Sequence, residues 1–144
     1  MSIEENKAIT HRFYENWNKG NMEGVYALFA SDIVDHNPGP GQAAGIEGLK
    51  QALDLFKNAF PDSQLKLEHL IAEGDKIVDH GTFRGTHTGE MVGIPPTGKP
   101  VSITFTNIYR IANGKIVEAW HIEDILGIMQ QIGVMPMPGQ APQA

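Results

Sequence analysis

The chain has 144 residues, of which 41% are hydrophobic and 19% charged; that is about one domain's worth of chain, with enough apolar content to bury a core. A formal net charge of -6, with only 11 scattered Lys and Arg, argues against a nucleic-acid or anionic-membrane partner, since both need a concentrated positive field. The lack of cysteine excludes disulfides, thiolate metal sites and cysteine nucleophiles.

The start, MSIEENKAIT, has no signal-peptide apolar run, and no segment approaches the roughly 20 apolar residues that span a bilayer, so the reading is a cytoplasmic protein. A first helix is predicted over 3–19, where Ile9, Phe13 and Trp17 form one stripe at i, i+4, i+8, and Gly20-Asn21 ends it. A second is predicted over 22–30. DIVDHNPGPG gives a short extended piece that breaks at Pro38 and the glycines. A third helix, 46–59, carries Leu49, Leu53 and Phe56 inward and stops at Pro61.

The hydrophobic period then drops to two. Strands are predicted over 64–72, 76–88, 99–112 and 115–123, with turns at Gly74-Asp75 and Asn113-Gly114. In the first of them Leu65, Leu67, His69 and Ile71 share a face, and His69 reads as a hydrogen-bonded core histidine. A last helix, 125–132, ends with Gly133 as its C′ residue. The order predicts one α+β domain over 1–134, with helices on one face of a curled, mostly antiparallel sheet around an apolar pocket. The Pro-rich remainder, 135–144, reads as a flexible tail.

Two apparent motifs fail on physical grounds. GIPPTGKP, residues 93–100, nearly matches a phosphate-binding loop. Pro95 and Pro96 have no N–H to offer a phosphate, Pro100 replaces the magnesium-binding hydroxyl, and a strand follows where a helix is needed. The six histidines include no H-E-x-x-H and no pair at i, i+4, so no metal site is expected from local spacing. No serine lies in G-x-S-x-G.

Polar residues on apolar strand faces are the better signals. On 115–123, alternation puts Ile116, Glu118, Trp120 and Ile122 on one face, continued by Asp124, and Val117, Ala119, His121 and Glu123 on the other. The bulkier set is expected to face the helices, which places Asp124 at the pocket wall; a bulge would give that position to His121. Asp124 also fits the N-cap of the last helix, and a carboxylate can both cap and face a pocket. Val117 and Ala119 would then suit a dimer contact on the outer face. On 99–112, Asn107 shares a face with Val101, Ile103, Phe105, Tyr109 and Ile111 and needs a hydrogen-bond partner, either neighbouring backbone or a ligand carbonyl. Phe13, Trp17 and Phe56 read as core that can double as a pocket rim.

With FYENWNKGN and ASDIVDHNP (13–38), LIAEGDKIV (70–78), GTHTGEMVGIPPTGK (85–99) and NGKIVEAWHIEDILGIMQQIG (113–133), the chain resembles the SnoaL-like polyketide cyclases of the nuclear-transport-factor-2-like superfamily. The resemblance implies a cone-shaped α+β barrel with one deep pocket, often dimeric or tetrameric. It implies an intramolecular aldol condensation that needs no metal or organic cofactor, with Asp124, at the W-x-x-x-D position, as general acid/base. His36, in D-H-x-P, and Trp120 match recurring family positions. The expected site is thus Asp124 as catalytic residue, with His36, Asn107, Trp120, His121, His87, Trp17 and Phe56 around a small apolar, possibly aromatic, substrate. Two other readings stand beside it: an isomerase or epoxide-opening enzyme on the same fold, and a non-catalytic small-molecule carrier.

Overall fold

A computed structural model describes residues 2–136 and 139, so most of the Pro-rich tail lies outside the described residues. Helix α1 runs Ile3–Lys19. Its start is fixed by a capping box, in which the Ser2 hydroxyl accepts from Glu5 N at 3.1 Å and the Glu5 carboxylate accepts from Ser2 N at 3.2 Å. Its end is Gly20 at φ 74°, a left-handed conformation that favours glycine. Ile9, Phe13, Tyr14 and Trp17 are buried along one side, and the rings of Phe13 and Trp17 stack at 6.2 Å. Helix α2 is shorter than the periodicity predicts, Met22–Tyr26, because Phe29 already belongs to a strand.

Strands β1 (Phe29–Asp35), β2 (Gln64–Glu73), β3 (Lys76–Thr86), β4 (Pro100–Ala112) and β5 (Lys115–Glu123) form one sheet in the order β1-β5-β4-β3-β2. Only β1 pairs in parallel, with β5. Asn113 and Gly114 both have positive φ, 50° and 74°, so the two-residue β4–β5 hairpin turns as expected for Asn-Gly. Helix α3 (Gly45–Ala59) packs against β1, and α4 (Ile125–Gln131) packs against β4. The core between α1, α3 and the concave sheet face is built from Ile9, Trp17, Ile33, Leu49, Ile77, Phe83, Ile103, Tyr109 and Ile116, all buried.

Two bulges decide which side chains face that core. In β5 the register with β4 shifts between Arg110 and Ile111: Arg110 pairs with Glu118 and Ile111 with Ile116, so Val117 is the extra residue. Ile116 is fully buried, and after the bulge the inward set becomes Ala119, His121 and Glu123. The expected parity is thereby reversed. Trp120 and Ile122 face outward, with Ile122 72% exposed, and Ala119 is buried instead of offering a dimer contact. In β2 the shift falls between Leu67 and His69. Leu65 and Leu67 are inward before it, whereas Leu70 and Ala72 pack on the core after it. His69 is therefore an exposed residue beside the His80 ring, 5.8 Å away, and not a core histidine.

Candidate active site

The concave face of the sheet and the inner sides of α1 and α3 enclose a cavity of ≈ 100 Å³. Phe13 and Trp17 from α1, Leu49, Leu53 and Phe56 from α3, and Phe29, Phe83, Ile103, Phe105 and Tyr109 from the strands give it walls of carbon. Trp17 is fixed by its indole N–H, which donates to Ser63 Oγ at 3.0 Å. The polar lining residues are Asp35, Asn107, Tyr109, His121 and Glu123.

Three of these form a hydrogen-bonded chain. His121 Nδ1 lies 2.8 Å from Glu123 Oε1 and 2.9 Å from Oε2, and His121 Nε2 lies 2.9 Å from Asp35 Oδ1. The parallel pairing of β1 with β5 brings Asp35 there, and the β5 bulge turns His121 and Glu123 inward. A neutral imidazole has one N–H and could serve only one of the two carboxylates; an imidazolium serves both. Burial pulls the His121 pKa down, but the hydrogen bond and charge of Glu123, followed by those of Asp35, outweigh it and leave the pKa raised. The two carboxylates differ in their remaining capacity. Asp35 also accepts from Asn37 N and Gln42 Nε2, both at 2.9 Å, and its side chain is only 7% exposed. Glu123, 26% exposed, has His121 as its one hydrogen-bond partner among the described residues, which leaves lone pairs free toward the cavity. Its neighbour β4 contributes Asn107, directly opposite His121.

A second polar group lies behind Asn107. Asp79 sits opposite Asn107 on β3, is fully buried, and accepts at Oδ2 from the Tyr14 hydroxyl at 2.7 Å and from Asn107 Nδ2 at 3.1 Å. Its Oδ1 has no partner among the described residues. Burial pushes its pKa up to about 6, although both hydrogen bonds and then the charge of His80 pull it down. Gly81 makes this arrangement possible, because a Cβ there would strike the Tyr14 hydroxyl oxygen and come within 2.9 Å of the Phe105 ring. The row Tyr14–Asp79–Asn107–His121–Asp35 thus crosses from α1 over four strands. Tyr109 joins its two ends electrostatically: burial, and after it the charges of Asp79, Tyr14, Glu123 and Asp35, raise its hydroxyl pKa well above the ordinary value.

Of the residues singled out from sequence, Asn107, His121, Trp17 and Phe56 line the cavity. Asn107 binds a carboxylate, a partner neither alternative considered. Asp124, His36, Trp120 and His87 do not line it. Asp124 is exposed, and its Oδ1 accepts from Gly127 N at 2.8 Å as the cap of α4. Gly127 leaves room for this cap, since a Cβ there would press on the Asp124 carboxylate. Trp120 and His36 stack on each other at 4.5 Å and 6°, on the outer side to which the bulge turns Trp120. His87 is buried beneath the loop before β4. Its Nδ1 accepts from Thr97 N at 3.2 Å and its backbone bonds Lys99 and Gly98, so it pins that loop. Sequence reasoning missed Asp35, Asp79, Tyr14 and Glu123, the last because alternation put it on the outer face of β5. Asp79 did leave a signal, a carboxylate at an inward position between Ile77 and Phe83. Asp35 left none, because a non-local parallel pairing places it.

The trio is a linear chain with each contact at hydrogen-bond distance, and no group of His, Asp or Glu among the described residues is arranged to hold a metal ion. None of the helices described is long and apolar enough to cross a membrane.

A curved sheet with helices over its concave face, and a hydrogen-bonded His-Asp-Glu trio on the wall of an apolar cavity, define the nuclear-transport-factor-2-like fold. Residues 7–132 match the family described as SnoaL-like polyketide cyclase, and the chain belongs to that family. It is 28% identical to the aklanonic acid methyl ester cyclase DauD of Streptomyces sp. (strain C5), over 87% of this chain and 80% of that one. Among solved structures, AclR from Streptomyces galilaeus superposes with a TM-score of 0.84 at 28% identity, covering 99% of this chain and 87% of that one. IdmH from Streptomyces antibioticus superposes with a TM-score of 0.76 at 32% identity, covering 89% and 98%.

Proposed function

We propose that this protein is an acid/base enzyme that closes a ring by intramolecular aldol condensation, as the family relationship suggests, with its own side chains moving the proton. The observation that carries the reading is the His121 imidazole held between Glu123 and Asp35 on the wall of an otherwise apolar cavity. Glu123 is the proposed base. Its carboxylate takes a proton from carbon next to a carbonyl, and the C–H electron pair passes into the enolate. The enolate carbon forms the new C–C bond at a second carbonyl of the same molecule, whose oxygen takes the proton back from Glu123. The reaction stops at the aldol adduct with no loss of water, so product and substrate are isomers and no oxidant, reductant or co-reactant is consumed.

His121 is proposed to hold Glu123 in place and to stabilise negative charge as it develops on oxygen, and Asp35 to fix the His121 ring. Asn107 is placed to hydrogen-bond a carbonyl, its amide oriented by Asp79. The aromatic walls would supply most of the rate gain by holding the reacting carbons together. The acid/base role that the resemblance gives to Asp124 passes to Glu123 in this reading, because Asp124 caps α4 outside the cavity. A proton-shift isomerase would use the same groups, and the small cavity favours it as the second reading.

The test is catalysed exchange of the acidic C–H of a ketone probe for deuterium. Glu123→Gln is expected to lower the rate about 10²–10⁴-fold, the usual contribution of a positioned acid/base, and Asp124→Asn to leave it within a few-fold. The opposite pattern would return the role to Asp124.

The homodimer or homotetramer expected from the resemblance is proposed to form through the outer sheet face, where Val34, Ile108 and Ile122 are exposed. Ile122→Glu should then yield monomers in sedimentation; an unchanged oligomer, or a monomeric parent protein, would refute it.

A further inference from the structure

The Asn107 side chain has two unlike ends, an acceptor at Oδ1 and a pair of donors on Nδ2. The end that meets the cavity decides what Asn107 can hold there, a hydroxyl or a carbonyl oxygen. Nδ2 donates to Asp79 Oδ2 at 3.1 Å, which is the amide's one hydrogen bond among the described residues. An ionised carboxylate only accepts, so a charged Asp79 commands the nitrogen end.

The carboxylate itself is left one bond short. Oδ2 takes both donors, the Tyr14 hydroxyl at 2.7 Å and the Asn107 amide, while Oδ1 is buried with no partner among the described residues. A proton added to Asp79 needs an acceptor, because a buried O–H without one is costly. On Oδ1 it would find none; on Oδ2 it faces Tyr14 and Asn107. Tyr14 could accept only by turning its own hydrogen away from Asp79, its one partner among the described residues, and burial, followed by the charge of Asp79, keeps that hydrogen on the phenol. Asn107 can accept by turning its amide over. The N–H groups so released face the cavity that Asn107 lines, and no buried donor loses its partner.

The surroundings suit a group that gains and loses a proton. Burial favours the neutral acid and outweighs the two hydrogen bonds and the charge of His80, the next residue on β3, whose ring is tied to Thr106 Oγ1 at 2.8 Å on the other sheet face. Glu68 on β2 acts on Tyr14, and Tyr109 on β4 feels the Asp79 charge in turn. His121, bonded to Glu123 and Asp35, lies one strand beyond Asn107.

We infer that Asp79 is a positioning residue whose proton turns the Asn107 amide. Ionised, Asp79 holds Nδ2, and Asn107 meets a guest chiefly through Oδ1, which suits a hydroxyl or enol. Protonated, Asp79 donates to Oδ1, and both N–H hydrogens of Asn107 are left for a carbonyl or enolate oxygen. The turn rests on the geometry around Asp79 alone; its use on a substrate rests on the acid/base reading above.

The experiment is NMR of the intact, ligand-free protein, following the Asp79 carboxyl carbon and the Asn107 side-chain amide from about pH 4.5 to about pH 7.5. The amide nitrogen is expected to titrate with the midpoint of the carboxyl carbon. The NOEs of its hydrogens should move from the Tyr14 ring at the high end to the His121 ring at the low end. Asp79→Asn, which accepts but carries no exchangeable acid proton, should keep the high-pH pattern throughout. Amide hydrogens that stay on Tyr14 across the Asp79 titration would overturn the inference, and so would a carboxyl that does not titrate in this range. Both are read on the parent protein, whatever the variant does. An amide change that persists in Asp79→Asn would belong to His121 and would overturn it too. The acid/base reading fails separately. An amide that turns while Glu123→Gln leaves deuterium exchange untouched defeats that reading alone. Exchange that is lost in Glu123→Gln while the amide never turns defeats the Asp79 inference alone.

Discussion

Two carboxylate settings share the concave face, and they resolve the same physical problem in opposite ways. Asp35 and Glu123 face a base that can become a cation: the His121 ring lies between them, and its pKa is raised by both. Asp79 meets only neutral donors, the Tyr14 hydroxyl and the Asn107 amide, and burial dominates, pushing its pKa up to about 6. The first setting keeps charges close to the cavity, where proton transfer can use them. The second buries a group that is cheaper to hold neutral, and its contact with the cavity runs through Asn107. In the proposed mechanism the polar residues of this sheet face divide into a reactive set and a positioning set, and compensation of charge separates them.

Activity should break this symmetry most strongly. Glu123→Gln is expected to lower catalysed C–H exchange by about 10²–10⁴-fold. Asp79→Asn keeps an acceptor for Tyr14 and Asn107 and should cost less than about tenfold. Equal losses in the two variants, measured by deuterium uptake, would erase the distinction.

Stability against pH sharpens it next. With a folded pKa of about 6 against an ordinary 3.8, the native state binds more protons than the unfolded chain between those values. The Asp79 contribution therefore favours folding below about pH 4, declines as pH rises, and by neutral pH has weakened the fold by about 3 kcal/mol, the gap between 3.8 and about 6 taken at about 1.36 kcal/mol per pH unit. Urea unfolding from pH 4 to 7 should show Asp79→Asn gaining on the parent protein over that window. A constant difference would mean that Asp79 does not titrate there.

The smallest expected effect belongs to Asp124. Asp124→Ala should cost about 1 kcal/mol in the same unfolding assay, the usual worth of an N-cap, with exchange activity nearly unchanged. A large activity loss would place its carboxylate in the chemistry after all.

How far the sequence reveals this depends on the regularity of each strand. Strand β4 runs Pro100–Ala112 with no register shift against β3, so simple alternation places Asn107, Tyr109 and Phe105 inward, where they are found. Strands β2 and β5 each contain one extra residue, and one residue is enough to exchange faces. No glycine or proline in 64–73 or 115–123 advertises the bulges. Trp120 misleads for a physical reason: its size argues for the interior, yet stacking on His36 serves it on the outer side. Cap and turn chemistry is local, and so Gly20, Asn113-Gly114 and Gly133 could be read directly. Asp35 could not, because its position depends on a parallel pairing with a strand more than 80 residues away, as in the contact between His121 and Asp35.

The most direct measurement is the nitrogen NMR titration of the His121 ring, with His121→Gln as the assignment control. It requires no substrate. His121 is expected to be an imidazolium with both ring nitrogens protonated at neutral pH, titrating above the ordinary value of about 6.5 and falling toward it in Glu123→Gln. Because the folded pKa is raised, the stability that the ring contributes should be complete below about pH 6.5 and disappear as pH rises through the folded value. A ring that is neutral at pH 7, titrates at or below about 6.5 and ignores Glu123→Gln would contradict the relay and the proton-transfer role built on it.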